Sequence, residues 1–128
     1  ADRIYGNSNR KVNYDLVPYA VFSQPEIASV GMTEENAIQL IGEDNIKLYR
    51  SIFRPLSKSI PKKGSKCILK LIVNKNNNKV LGCHMIGDNA SEIIQMASVS
   101  LMLGAKKSDF DNTMALHPTI AEEFVTMR

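Results

Sequence analysis

Two apolar runs rich in β-forming residues flank an asparagine-rich stretch in the middle of the chain. The runs are CILKLIV (Cys67 to Val73) and VLGCHMIG (Val80 to Gly87), and NKNNNK lies between them. Because asparagine tolerates positive φ angles, this pattern predicts a β-hairpin. The alternating segment IKLYRSIF (Ile46 to Phe53) predicts a strand with one wet face just before it. Together these segments predict a three-strand antiparallel meander.

Capping signals predict the helices around this meander. Thr33 followed by two glutamates opens one helix, which Gly42 ends. Asn89 and Glu92 form a capping-box pattern that opens a long helix to Leu103. Further strands are predicted at Leu16 to Ser23 and Ile27 to Met32, and further helices at Ser108 to Met114 and Ile120 to Met127. This order predicts an α+β fold, an antiparallel sheet with helices packed on one side.

Composition limits the classes of protein that remain possible. The 128 residues are 44% hydrophobic and 23% charged, as expected for one globular domain with its own core. The longest apolar runs are far shorter than the roughly 20 residues of a membrane helix. Cys67 and Cys83 form no CxxC pair and lie in apolar runs. Buried, inert thiols in a reducing, cytoplasmic compartment are therefore favoured over a disulfide framework or a metal site.

Much of the positive charge falls in one segment. Its members are Arg50, Arg54, Lys58, Lys62, Lys63, Lys66 and Lys70. The favoured interpretation is a solvated loop beside an exposed strand face. If the segment is functional, an anionic small molecule is the expected ligand, because the aromatic residues or known module of a nucleic-acid interface are missing.

One histidine lies close in sequence to a carboxylate that could act with it. His117 precedes Pro118, which should hold it extended, and Thr119 is a good cap for the last helix. Glu122 then lies one turn into the helix and can approach the imidazole, which would make half of an acid–base relay. The same spacing is also that of a simple capping box, which is the more frequent case. From the residues alone both interpretations stay open, and His84, in a predicted strand, is best explained as a satisfied core histidine.

The ending HPTIAEEFVTMR resembles the HPTxxEE, (F/L)VT and (M/L)R pattern of glutathione reductases, in the flavin-dependent pyridine nucleotide–disulfide oxidoreductase family. Four more segments resemble the same family in the same order: VFSQPEIASVGMTEENA, YRSIFRPL, KVLGCHMIGDNASEIIQ and KSDFDNTMALHPT. Leu116 stands where isoleucine is usual. The FRPL and EEFVTMR forms are most similar to the plant and cyanobacterial branch. The resemblance covers only the C-terminal dimerisation domain.

The resemblance implies an NADPH-dependent glutathione-disulfide reductase that binds FAD and acts as a homodimer. Residues 15–128 would form the dimerisation domain, and residues 1–14 would be a linker or helix end from an absent FAD domain. The chain alone is expected to be inactive and to self-associate through the helix of Asn89 to Leu103 and the C-terminal segment. Alternatives are the same domain of dihydrolipoamide dehydrogenase, mercuric reductase or trypanothione reductase, or a non-catalytic dimer module.

The resemblance also implies roles for individual residues. His117 would be the acid–base residue that protonates the leaving glutathione thiolate of the partner subunit's site, and Glu122 would orient it. The backbone of His117 and Pro118 would lie against the partner's flavin. Contacts to glutathione disulfide would come from Leu56, Thr119, Glu123 and Thr126.

Overall fold

The secondary structure was obtained from a computed structural model that describes residues 2–6, 8–9, 11–59, 64 and 66–128. In chain order the elements are helix α1 (Asp2–Tyr5), strands β1 (Tyr19–Val21) and β2 (Glu26–Gly31), helix α2 (Glu34–Ile41), strand β3 (Ile46–Phe53), helix α3 (Leu56–Ser59), strands β4 (Cys67–Asn74) and β5 (Val80–Gly87), and helices α4 (Ala90–Met102), α5 (Lys107–Asp111) and α6 (Glu123–Thr126). In the predicted linker, Ala1, Asn7 and Arg10 lie outside the described residues.

Within the described residues, the strands form one five-stranded antiparallel sheet in the order β1-β2-β5-β4-β3. The predicted hairpin is confirmed, because β4 pairs with β5 and Leu71 lies opposite Cys83. Asn78, in the turn between them, has the positive φ of 63° that asparagine tolerates. β3 pairs with β4 from Ile46 to Phe53, so the predicted meander is also confirmed. The α+β fold class is therefore confirmed.

The main core lies on one face of the sheet, beneath α4 and α6. Leu69 and Met85 are directly opposite each other on β4 and β5, and their buried side chains pack with Ile94 of α4 and Phe124 of α6. Each such side chain contributes about 1.5–3 kcal/mol by leaving water. A smaller cluster lies on the opposite face, where Ala37 and its neighbours on α2 cover one end of the sheet.

The start of α4 is fixed by a residue of the sheet and not by a local capping box. Asn89 has a left-handed conformation and makes no capping bond with its side chain, so the capping box predicted at this position is wrong. Instead, Oε2 of Glu26 accepts hydrogen bonds from the backbone N–H of Ser91, at 3.0 Å, and from its hydroxyl, at 2.7 Å. The bond from the backbone N–H lowers the pKa of Glu26 most, and the bond from the hydroxyl lowers it further. A carboxylate at this position also suits the positive end of the helix dipole.

Two helices near the C-terminus are shorter than the sequence predicts. α5 ends at Asp111, before the predicted Met114, and α6 covers Glu123–Thr126 only. Met127 leaves the helical conformation, with φ −55° and ψ 133°, and its carbonyl accepts a hydrogen bond from Lys107. The end of α6 is thus set by a contact with α5.

Lys107 is a buried cation that joins three parts of the fold. Only 1% of its surface is exposed. Its ammonium group forms an ion pair with Asp111 and donates to the carbonyl of Met127 at 2.9 Å. It also lies 4.5 Å from the centroid of the Tyr49 ring on β3. Because a buried charge is tolerated only with such partners, Lys107 fixes the C-terminal residues against α5 and the sheet.

Replacing Lys107 with leucine is expected to destabilise the chain by roughly 2–4 kcal/mol, because Asp111 and the Met127 carbonyl lose a buried partner. Denaturant unfolding of the purified chain measures this loss. Lys106→Leu is the matched control, since Lys106 is the exposed neighbour of Lys107, and it should change stability by no more than about 0.5 kcal/mol. Equal losses in the two variants would contradict the anchoring role of Lys107.

Candidate functional site

A cleft of about 720 Å³ opens between residues 53–59, at the end of β3 and in α3, and residues 117–123 of the C-terminal segment. All but one of the site residues predicted from the sequence line this cleft: Leu56, His117, Pro118, Thr119, Glu122 and Glu123. The exception is Thr126, which is exposed at the end of α6. The fold therefore brings together residues that are some 60 positions apart in the sequence.

His117 and Glu122 form a hydrogen-bonded pair at this cleft. Nδ1 of His117 lies 3.0 Å from Oε1 of Glu122. The imidazole is 81% exposed, whereas the Glu122 side chain is only 14% exposed. Because a carboxylate only accepts hydrogen bonds, the proton lies on Nδ1 of the imidazole. Nε2 has no hydrogen-bond partner among the described residues, so it is available to a ligand.

Thr119 holds the backbone of Glu122. Its hydroxyl oxygen accepts a hydrogen bond from the Glu122 N–H at 3.1 Å. Because α6 begins only at Glu123, with Glu122 as its N-cap, the helix start predicted at Ile120 with Thr119 as its cap is wrong. The carboxylate of Glu122 is used by His117. The peptide bond between His117 and Pro118 is cis. The Thr119 hydroxyl therefore holds the backbone of the residue whose carboxylate bonds His117.

The second glutamate of the segment is fixed to the sheet. Oε2 of Glu123 accepts a hydrogen bond from the hydroxyl of Ser51, on β3, at 2.6 Å. Ser51 was not predicted from the sequence. The alternation of β3 predicts only that Ser51 shares a face with Tyr49 and Phe53, and its partner lies 72 residues further along the chain.

The chain matches a known family over most of its length. Residues 17–128 match the family described as pyridine nucleotide-disulphide oxidoreductase, dimerisation domain. The chain belongs to this family. The resemblance drawn from the sequence motifs is therefore confirmed, and 44% of all 128 residues are identical in a cyanobacterial glutathione reductase, that of Nostoc sp. (strain PCC 7120 / SAG 25.82 / UTEX 2576).

Other relatives of this dimerisation domain carry two different names. The glutathione reductase of Burkholderia cepacia is 43% identical over the whole chain, and thioredoxin reductase SEP1 of Emiliania huxleyi is 42% identical over 99% of it. The chain spans 28% of the length of the two glutathione reductases and 26% of SEP1. The solved structure of the HOCl-induced flavoprotein disulfide reductase RclA from Escherichia coli has the same fold, with a TM-score of 0.82 and 24% identity, over 98% of this chain and 29% of that one.

His84, the other histidine of the domain, is a satisfied structural residue, as predicted. Its Nε2 lies 2.9 Å from the carbonyl oxygen of Met32, and its Nδ1 lies 2.8 Å from the hydroxyl of Ser29. Since a carbonyl oxygen only accepts hydrogen bonds, Nε2 carries the proton and Nδ1 accepts from Ser29. Both nitrogens are used, so His84 has no free acid–base position.

The two cysteines are buried and separate. The pairing of β4 with β5 places Cys67 four residues along the strand from the position opposite Cys83, a distance of about 13 Å. A disulfide between them would need the sheet to open. Burial raises the pKa of both thiols, which makes them poor nucleophiles.

Neither a metal centre nor a membrane segment is found in the described part of the domain. Its histidine, cysteine and acidic side chains form no group of three or more that could hold a metal ion. No described helix is both long enough and apolar enough to cross a membrane. The His117–Glu122 pair therefore remains the strongest candidate for chemistry among the described residues.

The stability of the domain is expected to fall below pH 6.5 because of His84. Burial lowers its pKa from 6.5, and the bond to Met32 opposes this only in part. The unfolded chain therefore takes up a proton at a higher pH than the folded chain. The stability contributed by neutral His84 is complete above pH 6.5 and is lost as the pH falls through the lowered folded value.

Urea unfolding of the chain above and below pH 6.5 measures this dependence. His84→Gln is the comparison, because it removes the titrating group and leaves His117 and the carboxylates in place. The variant should lose less stability than the unsubstituted chain between the two pH values. An identical loss in both proteins would show that His84 is not the group responsible.

Proposed function

We propose that this chain is the dimerisation domain of an NADPH-dependent glutathione-disulfide reductase, and that its His117–Glu122 pair completes the active site of the partner subunit. The observation that carries the proposal is the 3.0 Å bond between Nδ1 and Oε1 at the mouth of the cleft. The glutathione reductases of Nostoc sp. and Burkholderia cepacia, at 44% and 43% identity, support the choice of substrate.

The pair is suited to proton transfer during disulfide exchange. A thiolate of the redox-active dithiol attacks one sulfur of glutathione disulfide, a mixed disulfide forms, and the other glutathione leaves as a thiolate. Protonated His117 gives the Nε2 proton to this leaving thiolate. Glu122 holds Nδ1–H throughout, so the ring keeps its orientation while its charge changes. Before it gives up this proton, the charged imidazole would also stabilise the attacking thiolate of the dithiol.

The cofactors would be held mainly by other parts of the enzyme. The sequence has no GxGxxG loop of the kind that binds the phosphates of FAD or NADPH. This chain itself would contribute only a small surface. His117 and Pro118 are exposed where they line the cleft, and their exposure fits contact with one side of a flavin bound by the partner subunit. FAD, when bound, passes electrons from NADPH to the dithiol.

The remaining cleft residues are assigned to substrate binding. Leu56 is exposed at the start of α3 and offers an apolar contact. The carboxylate of Glu123, held by Ser51, suits an ammonium group of glutathione. Thr119 lines the same cleft, and Thr126 would meet a part of the substrate that extends past the cleft.

The exposed face of α4 supports a homodimer. The large apolar side chains exposed at and just beyond this helix are Met96, Val99, Met102 and Leu103. Apolar residues grouped on one helix face are typical of a protein interface. A dimer formed through α4 and the C-terminal segment would cover this face and bring His117 towards the other subunit.

A thioredoxin reductase is the second candidate, because SEP1 of Emiliania huxleyi is 42% identical to the chain. The two candidates differ in the size of the disulfide substrate. Steady-state assays of the flavoenzyme with glutathione disulfide and with oxidised thioredoxin separate them, and the proposal requires glutathione disulfide to be the better substrate.

His117→Gln in the flavoenzyme that contains this domain is expected to slow disulfide reduction by roughly 10²–10⁴-fold, since general acid catalysis is lost. Flavin reduction by NADPH should proceed at the unsubstituted rate. Rapid-mixing measurements follow the two half-reactions separately. Met114→Gln is the control, because Met114 is exposed in the same segment, and it should leave both rates unchanged. Equal slowing of both half-reactions by His117→Gln would remove the assigned role.

A further inference from the structure

Arg54 lines the candidate cleft, and one nitrogen of its guanidinium group donates no hydrogen bond. It directly follows β3 and lines the cleft together with Leu56 and Glu123. Its Nη1 atom is enclosed, and no described residue accepts a hydrogen bond from it. An enclosed donor on a charged group is unfavourable unless some acceptor meets it. A residue that lines the cleft therefore carries a guanidinium group with unused hydrogen-bonding capacity.

The nearby charges are already engaged with other partners. Arg50 forms an ion pair with Glu34 at 2.8 Å, and Lys58 forms one with Asp88 at 2.5 Å. Lys62 and Lys63 of the basic segment lie outside the described residues. Within the cleft, Glu122 is bonded to His117 and Glu123 to Ser51. Arg54 is therefore not neutralised by either carboxylate of its own cleft.

We propose that Arg54 determines substrate specificity by binding a carboxylate of the disulfide substrate, an inference that rests on the proposed function. A guanidinium group donates two parallel hydrogen bonds to a carboxylate, which makes arginine well suited to this recognition. A small rotation of the side chain towards the cleft would exchange an enclosed, unsatisfied nitrogen for a charge-assisted bond. Because the bound state satisfies this nitrogen and the free state does not, the exchange favours binding of a substrate carboxylate.

The charges of the cleft match a zwitterionic peptide. Glutathione disulfide carries both carboxylates and ammonium groups, and the cleft presents a guanidinium at Arg54 and a fixed carboxylate at Glu123. Opposite charges placed in one cleft also discriminate by repulsion. The cleft should accordingly select disulfides that carry carboxylates over neutral ones of similar size.

The test uses a chimeric flavoenzyme in which this chain replaces the matching 28% of the Nostoc sp. glutathione reductase. Its kcat and KM are measured with glutathione disulfide and with the same disulfide after esterification of its carboxylates. Arg54→Gln should raise KM for glutathione disulfide roughly tenfold, since it removes a charge-assisted hydrogen bond. The kcat should stay the same, and KM for the esterified disulfide should not respond to the substitution.

Two further variants make the test specific. Arg54→Lys keeps the charge but loses the paired donors, so its KM should lie between those of the parent and Arg54→Gln. Arg50→Gln removes a nearby positive charge that is paired with Glu34 outside the cleft, and it should leave both KM values unchanged. FAD content reports whether each variant has folded.

The outcomes separate this inference from the proposed function. Unchanged KM values in Arg54→Gln overturn the role of Arg54 while leaving glutathione-disulfide reduction intact. An equal rise for both disulfides also overturns it, because Arg54 then does not bind the carboxylates that esterification removes. A lower melting temperature at constant KM overturns it as well, because the role of Arg54 is then structural. A parent chimera that binds FAD and accepts electrons from NADPH but does not reduce glutathione disulfide removes both proposals.

Discussion

The buried ammonium group of Lys107 holds the C-terminal segment in place, and the cleft depends on that position. It joins α5, the carbonyl of Met127 and the ring of Tyr49. The segment is also held by Phe124, which is buried in the main core, and by the bond between Glu123 and Ser51. These contacts give residues 117–127 the rigidity that the hydrogen bond between His117 and Glu122 needs.

In the proposed function, the His117–Glu122 pair is one half of an active site. Glu122 is shielded and bonded, whereas His117 extends from it into solvent with Nε2 unused. Acid–base chemistry at a disulfide needs a site from which water is excluded, and an exposed imidazole does not provide one alone. A second protein surface over the cleft would supply that shielding. The exposed apolar side chains on α4, Met96, Val99 and Met102, support the same proposal.

The sequence predicted the sheet well because its signals are local. Alternation and an asparagine-rich turn define β3, β4 and β5 within a single stretch of chain, and the structure follows these boundaries closely. The contacts that fix the helices and the site were not predictable in this way. Glu26 caps α4 from 65 residues away, and Ser51 meets Glu123 from 72 residues away. The roles assigned to His117 and Glu122 came from family resemblance, because on their spacing alone a simple capping box is the more frequent case.

The central claim, that His117 serves the partner's dithiol, is tested most directly with mixed dimers. One subunit would carry His117→Gln, and the other a serine in place of a cysteine of the redox-active pair in its FAD domain. Each homodimer should be inactive. If His117 acts across the interface, the mixed dimer has one intact site and glutathione-disulfide reduction returns. If activity stays absent in mixed dimers of verified composition, His117 acts within its own subunit and the account is contradicted.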